Sequence, residues 1–264
     1  MNQNALQRGN VHMNCMARLE LQIKSDGELA FQMSSLFHGV LMERLPEAYA
    51  EYLHQSRLHP FSQHLEKKQE NWYWIICCLN ETAVDIIIKN TLWNLKQFTI
   101  ERQQQRVEIL EKAYAECTYK ELMNQFYRGE SGRYIQIQFR SPTAFKRQGQ
   151  YLFYPDLKCM FQNLMNRYDA AVEEDVMRDQ ETLEQLCNNA QIIRYDLKSV
   201  CFSLEGVKIP AFMGNITIKM DGTQTMASFA RMLFVFGTYA GIGIKTSLGM
   251  GSIQLMQGKG GSTC

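Results

Sequence analysis

Apolar residues at every second position are what most limits the folds open to this chain. Leu19, Leu21 and Ile23 alternate with Arg18, Glu20 and Gln22, and the pattern returns in the second half as Ile135, Ile137 and Phe139 around Gln136 and Gln138. A period of two places one face of a strand in a core and the other toward polar surroundings. Between such strands the spacing becomes helical. After the turn Ser25-Asp26-Gly27, residues Phe37, Val40, Leu41 and Leu45 fall on one face of a helix over 31–44, which Pro46 stops before a second helix over 47–54. A near-continuous apolar strand over 72–79, a helix over 82–93 and one or two strands over 96–115 complete a β-α-β-α-β half.

The second half repeats this grammar. Pro155 suits a first helical turn, and Leu157, Met160, Phe161, Leu164, Met165 and Tyr168 form the stripe of the helix that follows. Strands over 192–204 and 213–220 flank the turn Glu205-Gly206. An apolar helix over 225–236 then leads into a glycine-rich loop and a closing strand over 252–256. Two βαββαβ units in tandem are the simplest reconstruction, an α+β architecture of antiparallel sheets with helices on one face. A length of 264 residues suits two modest domains. The boundary is expected within 118–132, where Gly129-Glu130-Ser131-Gly132 is linker-like, dividing 1–122 from 123–264.

An apolar share of 45% with 21% charged residues excludes disorder as the default. No run of about 18 apolar residues could span a bilayer, and the polar start MNQNALQRGNVHMN lacks the apolar segment of a secretory signal. The expectation is a cytoplasmic protein with no membrane partner. Eight scattered cysteines then read as reduced, mostly buried thiols. A net charge of +1 exerts no global pull on a polyanion, so such a site must come from local clusters. Arg133, Arg140, Lys146 and Arg147 form one acid-free cluster, and Lys245 and Lys259 lie in an acid-free tail. Acids gather instead around Glu173 to Glu184, a surface expected to face away from a ligand.

The segment Gly241-Ile-Gly-Ile-Lys-Thr-Ser-Leu-Gly-Met-Gly251 holds two Gly-hydrophobic-Gly pairs. Glycine allows positive φ and close backbone approach, so amide hydrogens here could face a phosphate, with Lys245, Thr246 and Ser247 adding a cation and hydroxyls. A P-loop needs glycine where Ile244 stands, and a dinucleotide fingerprint needs it at Thr246, so nucleotide cofactors do not fit. A plain glycine-rich turn is the alternative. Ile242, Ile244, Leu248 and Met250 argue for an anchored loop.

This stretch, GIGIKTSLGMGSIQL, resembles the C-terminal glycine-rich signature GhGxxxxxGhG of the CRISPR-associated endoribonucleases that process precursor CRISPR RNA, within the RAMP superfamily. All four glycines match. FHGVLMERLPEAYAEYLHQSRLHPFSQHL (37–65) and FYPDLKCMFQNLMNRYD (153–169) are similar to two further family segments. The resemblance implies tandem ferredoxin-like (RRM-like) domains. It also implies metal-independent cleavage within CRISPR repeats, in which the ribose 2′-hydroxyl attacks the adjacent phosphate to leave a 2′,3′-cyclic phosphate and a 5′-hydroxyl. CRISPR repeat RNA would be the partner, with effector-complex subunits and a second copy of the chain as further candidates. No cofactor is implied.

Such chemistry needs a base, an acid and a group that stabilises the phosphorane, and histidine suits the first two. The five are His12, His38, His54, His59 and His64. His54 matches the family's usual catalytic histidine and is the leading acid/base. His59 stands where relatives carry lysine, and Arg57 is a nearby cation. Met42 replaces a tyrosine of some members, and His38, four residues earlier on the same face, could supply the missing group. His12 and His64 read as surface residues. His54, His59 and His64 recur every five residues, which fits no helix-face ligand set, so no metal is implied. Trp72, Tyr73 and Trp74 could stack bases, although such residues are more often core. Arg133, Arg140, Lys146 and Arg147 would grip RNA backbone or simply be solvated. A non-catalytic RNA-binding subunit of the same superfamily is the alternative function.

Overall fold

The computed structural model describes residues 15–127, 132–172, 177 and 179–256. His12, the linker residues Gly129 to Ser131, Glu173 and Lys259 lie outside these. The chain forms two ferredoxin-like α+β units, each an antiparallel sheet with helices on one face.

In the first unit β1 (Cys15–Ser25) is followed by α1 (Ser34–Met42) and α2 (Glu47–Gln55). The hairpin β2 (Phe61–Lys68) and β3 (Asn71–Cys78) comes next, then α3 (Glu81–Ala83), which continues as a π-helical segment, Val84–Leu92. The hairpin β4 (Gln97–Ile100) and β5 (Gln105–Thr118) completes the sheet in the order β2-β3-β1-β5-β4. Alternation does what the sequence requires: Leu19, Leu21 and Ile23 are buried with Phe37, Leu41, Leu53 and Trp74. Trp74 is therefore core rather than a base-stacking platform, because its face of β3 lies under α1 and its Nε1 donates to Gln63.

Helix α4 (Tyr119–Tyr127) leads into the second unit. The expected boundary at 122/123 falls inside this helix, and its Tyr119 and Leu122 join the second core. There β6 (Tyr134–Thr143), β7 (Phe145–Arg147), β8 (Gln150–Leu152), α5 (Leu157–Ala171), α6 (Gln180–Asn188), β9 (Ala190–Leu204), β10 (Val207–Met220), α7 (Gln224–Ala240) and β11 (Ile253–Leu255) follow in order. The main sheet runs β11-β6-β10-β9, the same weave as the first.

The two units share an interface. Strand β3 is buried on both faces, as a continuous apolar run allows, because Ile75 and Cys77 point toward the side where α7 packs. Ser62 Oγ donates to Tyr239 O at 2.5 Å across that junction. The described cysteines are all free, but fewer are interior than expected: Cys15, Cys77 and Cys78 are buried and Cys201 is exposed. No helix among the described residues is long and apolar enough to cross a membrane.

Candidate active site

Helix α1 begins at the junction, and its first residue, Ser34, is where the glycine-rich loop docks. Ser34 Oγ donates to Phe31 O (2.6 Å) and accepts from Leu65 N (3.0 Å). Gln63 Nε2 donates to both Ser34 O and Ser247 O, each at 2.9 Å, tying β2, α1 and the loop together. A Cβ built on Gly249, at φ +109°, would lie 2.1 Å from Ser34 Cβ, so only glycine lets the loop come this close.

The four glycines do permit close approach, but to the protein's own atoms, backbone at Gly243 and Gly251 and side chains at Gly241 and Gly249. A Cβ at Gly243 would meet Ala144 O at 2.3 Å, and one at Gly251 would meet Ile242 O at 2.0 Å; Gly241 packs on the Thr246 side chain. The amides of Ile242, Gly243, Ile244 and Gly251 are bonded to Gly251 O, Asn163 Oδ1, Ala144 O and Pro142 O. Thr246 and Ser247, expected as hydroxyl donors to RNA, are buried in a 3-10 turn. Lys245 alone in this loop is exposed, held at φ +55°.

One turn after Ser34, His38 faces the loop. Its ring is stacked near that of His59, with centroids 6.2 Å apart, and both stack near Phe61. His38 is half-buried, and burial with the neighbouring histidines brings its pKa down to about 4, against the opposing pull of the Ser247 backbone. His59 is shifted down too, by burial and then by Arg167, with the Leu53 carbonyl acting the other way. Each ring has a buried Nδ1 without a hydrogen-bond partner. His38 also borders a cleft of about 570 Å³ with Gly39, Arg102, Glu205, Gly206 and Leu248, formed between the two units. His54, in the last turn of α2, is exposed, and its charge is felt by both other rings. The chain thus brings together three histidines spread along 38–59. Arg57 is exposed nearby in sequence.

His64 behaves otherwise. It was expected at a strand edge on the surface, but it is only 5% exposed in the middle of β2, because the second unit covers that strand. Its Nε2 donates to Glu66 Oε2 (3.3 Å) and lies 3.1 Å from Ser252 Oγ. Glu66 forms a close ion pair with Arg140, whose Nη1 donates to Gln138 Oε1 at 2.9 Å. Burial would raise the Glu66 pKa, but His64 and Arg140 outweigh it and bring the carboxyl down to about 2.

The basic cluster is dispersed accordingly. Arg140 is engaged at the junction, Arg133 donates to Met220 O and Gly222 O, and Arg147 pairs with Asp156 at 3.2 Å. Lys146 is exposed, its Nζ 5.7 Å from the Tyr151 ring centroid. Among the described residues no three His, Cys, Asp or Glu side chains converge as metal ligands. Sequence reasoning missed Arg167 of α5, a cation beside His59; its signal was a charge on an otherwise apolar helical stripe.

Two ferredoxin-like units joined at a glycine-rich loop, with histidines at the seam, define a protein of the RAMP type. Comparison with known proteins narrows the class. Residues 137–253 match the family described as CRISPR-associated endoribonuclease Cas6. The chain is 33% identical over 244 residues to a Cas6 endoribonuclease of Streptococcus thermophilus, covering 92% of this chain and all of that one. It is 28% identical to a Cas6 endoribonuclease of Mycobacterium tuberculosis, over 91% of this chain and 78% of the other. The solved structure of a Cas6 product complex superposes with a TM-score of 0.76 at 20% identity, covering 92% of this chain and all of that chain. A Thermus thermophilus Cas6 gives 0.70 at 15% identity, covering 92% and 99%. The chain belongs to the Cas6 family of CRISPR-associated endoribonucleases.

Proposed function

We propose that this protein cuts precursor CRISPR RNA once within each repeat, without a metal ion, by attack of the ribose 2′-hydroxyl on the neighbouring phosphate. The bond from phosphorus to the 5′ oxygen breaks, giving a 2′,3′-cyclic phosphate and a 5′-hydroxyl. The observation that carries this is the stacked His38–His59 pair, each ring with an unpartnered nitrogen, with His38 bordering the cleft between the two units.

His38 is the general base. Its depressed pKa keeps the ring neutral at pH 7, so it has a lone pair with which to accept the 2′ proton. His59 is the partner that protonates the leaving oxygen, and His54 at the exposed edge is the alternative for that role. Lys245, Lys146 and Arg57, all exposed, hold the RNA backbone through charge. The glycine loop acts mainly by docking the second unit on Ser34, which sets where His38 stands. The units divide within 118–132.

The test incubates labelled repeat RNA with the protein in EDTA and compares wild type with His38→Ala, His59→Ala and His54→Ala. Metal-free cutting by the wild type is expected, with a 5′-hydroxyl that a kinase can label directly. Uncut RNA would mean a non-catalytic RNA-binding subunit, and a requirement for added metal would rule out the mechanism.

A further inference from the structure

The face of α5 turned toward the glycine loop carries three carboxamides. Asn163 bonds twice to one residue of the loop, accepting from Gly243 N at 2.8 Å and donating to Gly243 O at 3.3 Å. Gln162 and Asn166 lie beside it on the helix, and the Asn166 Oδ1 has no hydrogen-bond partner. Both border a cavity of about 180 Å³ between α5, β7 and the loop, to which Phe145 and Ile244 give an apolar lining. That is room for about six waters at ~30 Å³ each, enough for one heterocyclic base. Among the described residues no carboxylate lines the cavity, and Lys146 supplies a cation.

The loop adds a second observation. Among the described residues Gln69, Gln104, Gln148, Glu205 and Lys245 have positive φ without being glycine. The first four stand in hairpin turns, where this conformation is ordinary. Lys245, at φ +55°, stands instead among four glycines, where a fifth would carry no strain. A lysine at this position points to a use for its exposed charge. It directly follows Ile244, whose N donates to Ala144 O at 3.0 Å, so the segments bearing Lys245 and Lys146 are tied together at the cavity.

We propose that this cavity receives an unpaired adenine of the bound RNA, read by the carboxamides of Asn166 and Gln162, while Lys245 and Lys146 hold the neighbouring phosphates. The proposal rests on the RNA-directed function above and gives the second unit a share in choosing the sequence. A carboxamide presents a donor and an acceptor side by side, and turning about its Cβ–Cγ or Cγ–Cδ bond exchanges them. Adenine matches that pair on two edges, N6–H with N7 and N6–H with N1, so both side chains can be used. Bases splayed out of single strands are recognised on these edges.

Binding is measured over a series of salt concentrations with 2′-O-methyl oligoadenylate and oligouridylate of equal length, which 2′-hydroxyl attack cannot cut. The wild type is expected to prefer oligoadenylate by about tenfold, within the range one bidentate contact to a base provides. Asn166→Leu and Gln162→Leu should each reduce that preference and leave oligouridylate binding unchanged. Tm should hold or rise in Asn166→Leu, which removes a buried acceptor without a partner. Lys245→Ala should lower the slope of log affinity against log salt by about 0.7 for both RNAs, the share of one phosphate on a single strand. A wild type that binds neither oligomer or does not prefer oligoadenylate overturns the proposal, as does a preference that survives in either folded variant or an unchanged slope in Lys245→Ala. Gln162 is exposed, so its variant keeps the test in place should Asn166→Leu fail to fold. Because the methylated oligomers are never cut, wild-type inactivity on ordinary repeat RNA would reject the nuclease function without touching this measurement.

Discussion

His38 and His64 both stand where the two units meet, and they differ in what surrounds the ring. His64 is enclosed by Glu66 and Ser252, with Arg140 closing the chain of contacts, and it has no opening to solvent. His38 borders a cleft with a buried nitrogen unmatched. The network around His64 is held by hydrogen bonds and an ion pair, although Arg140 Nε within it has no acceptor, whereas the His38 ring lies at the edge of a cleft open to a ligand. The same residue type thus serves docking in one place and, in the proposed function, chemistry in the other.

The sharpest break of this comparison is His38→Ala. Cleavage of repeat RNA, followed under single turnover, is expected to fall by about 10²–10⁴-fold, the usual worth of a general base, with Tm little changed. A loss of stability with cutting intact would reverse the assignment of the two histidines.

Glu66→Gln probes the other side. Removing one member of a buried ion pair leaves Arg140 short of charge compensation, and about 3 kcal/mol of stability should be lost in denaturant unfolding. The variant should still cut RNA at a permissive temperature. Gly249→Ala joins the two regions: its Cβ would overlap Ser34, at a φ that costs a side chain strain, so about 1–3 kcal/mol and part of the cleavage rate should go together.

The pH dependence follows from the same contrast. Glu66, depressed to about 2, gives stability that is complete above its ordinary value of 4.5 and is lost as pH falls through about 2. His38, depressed to about 4, favours the neutral ring, so its contribution is complete above 6.5 and declines as pH falls toward 4. Unfolding should therefore ease in two stages on acidification, and in a denaturant series the upper one should be smaller in the His38→Ala variant, with His59 and His64, also shifted down, supplying the rest. The acid limb of kcat/KM should lie below 6.5. The smallest effect is expected from Gly39→Ala, whose added Cβ meets nothing within 4 Å. It should stabilise α1 by about 0.5–1 kcal/mol, and a simultaneous drop in cutting would place RNA against this face of the helix.

Much of the fold could be read in advance because alternation is local. Leu19 to Ile23 and Ile135 to Phe139 form the expected strands, and the hairpin around Glu205-Gly206 pairs β9 with β10. Helix α4 was hidden in an expected linker, since its reason to be a helix is a core supplied by α7 and α5. His64 was misplaced for a related reason: a strand covered on both faces cannot be told from a half-covered one until the covering element is known.

By itself the sequence determined two βαββαβ units, the glycine signature and a short list of histidines, because periodicity, turn chemistry and spacing act over a few residues. Only tertiary structure decided that the four glycines pack against the protein's own atoms, that Arg140 is held by Glu66, and that Arg167 lies beside His59. Those outcomes depend on which surfaces lose water when the two units dock, and burial of this kind joins residues far apart in the chain.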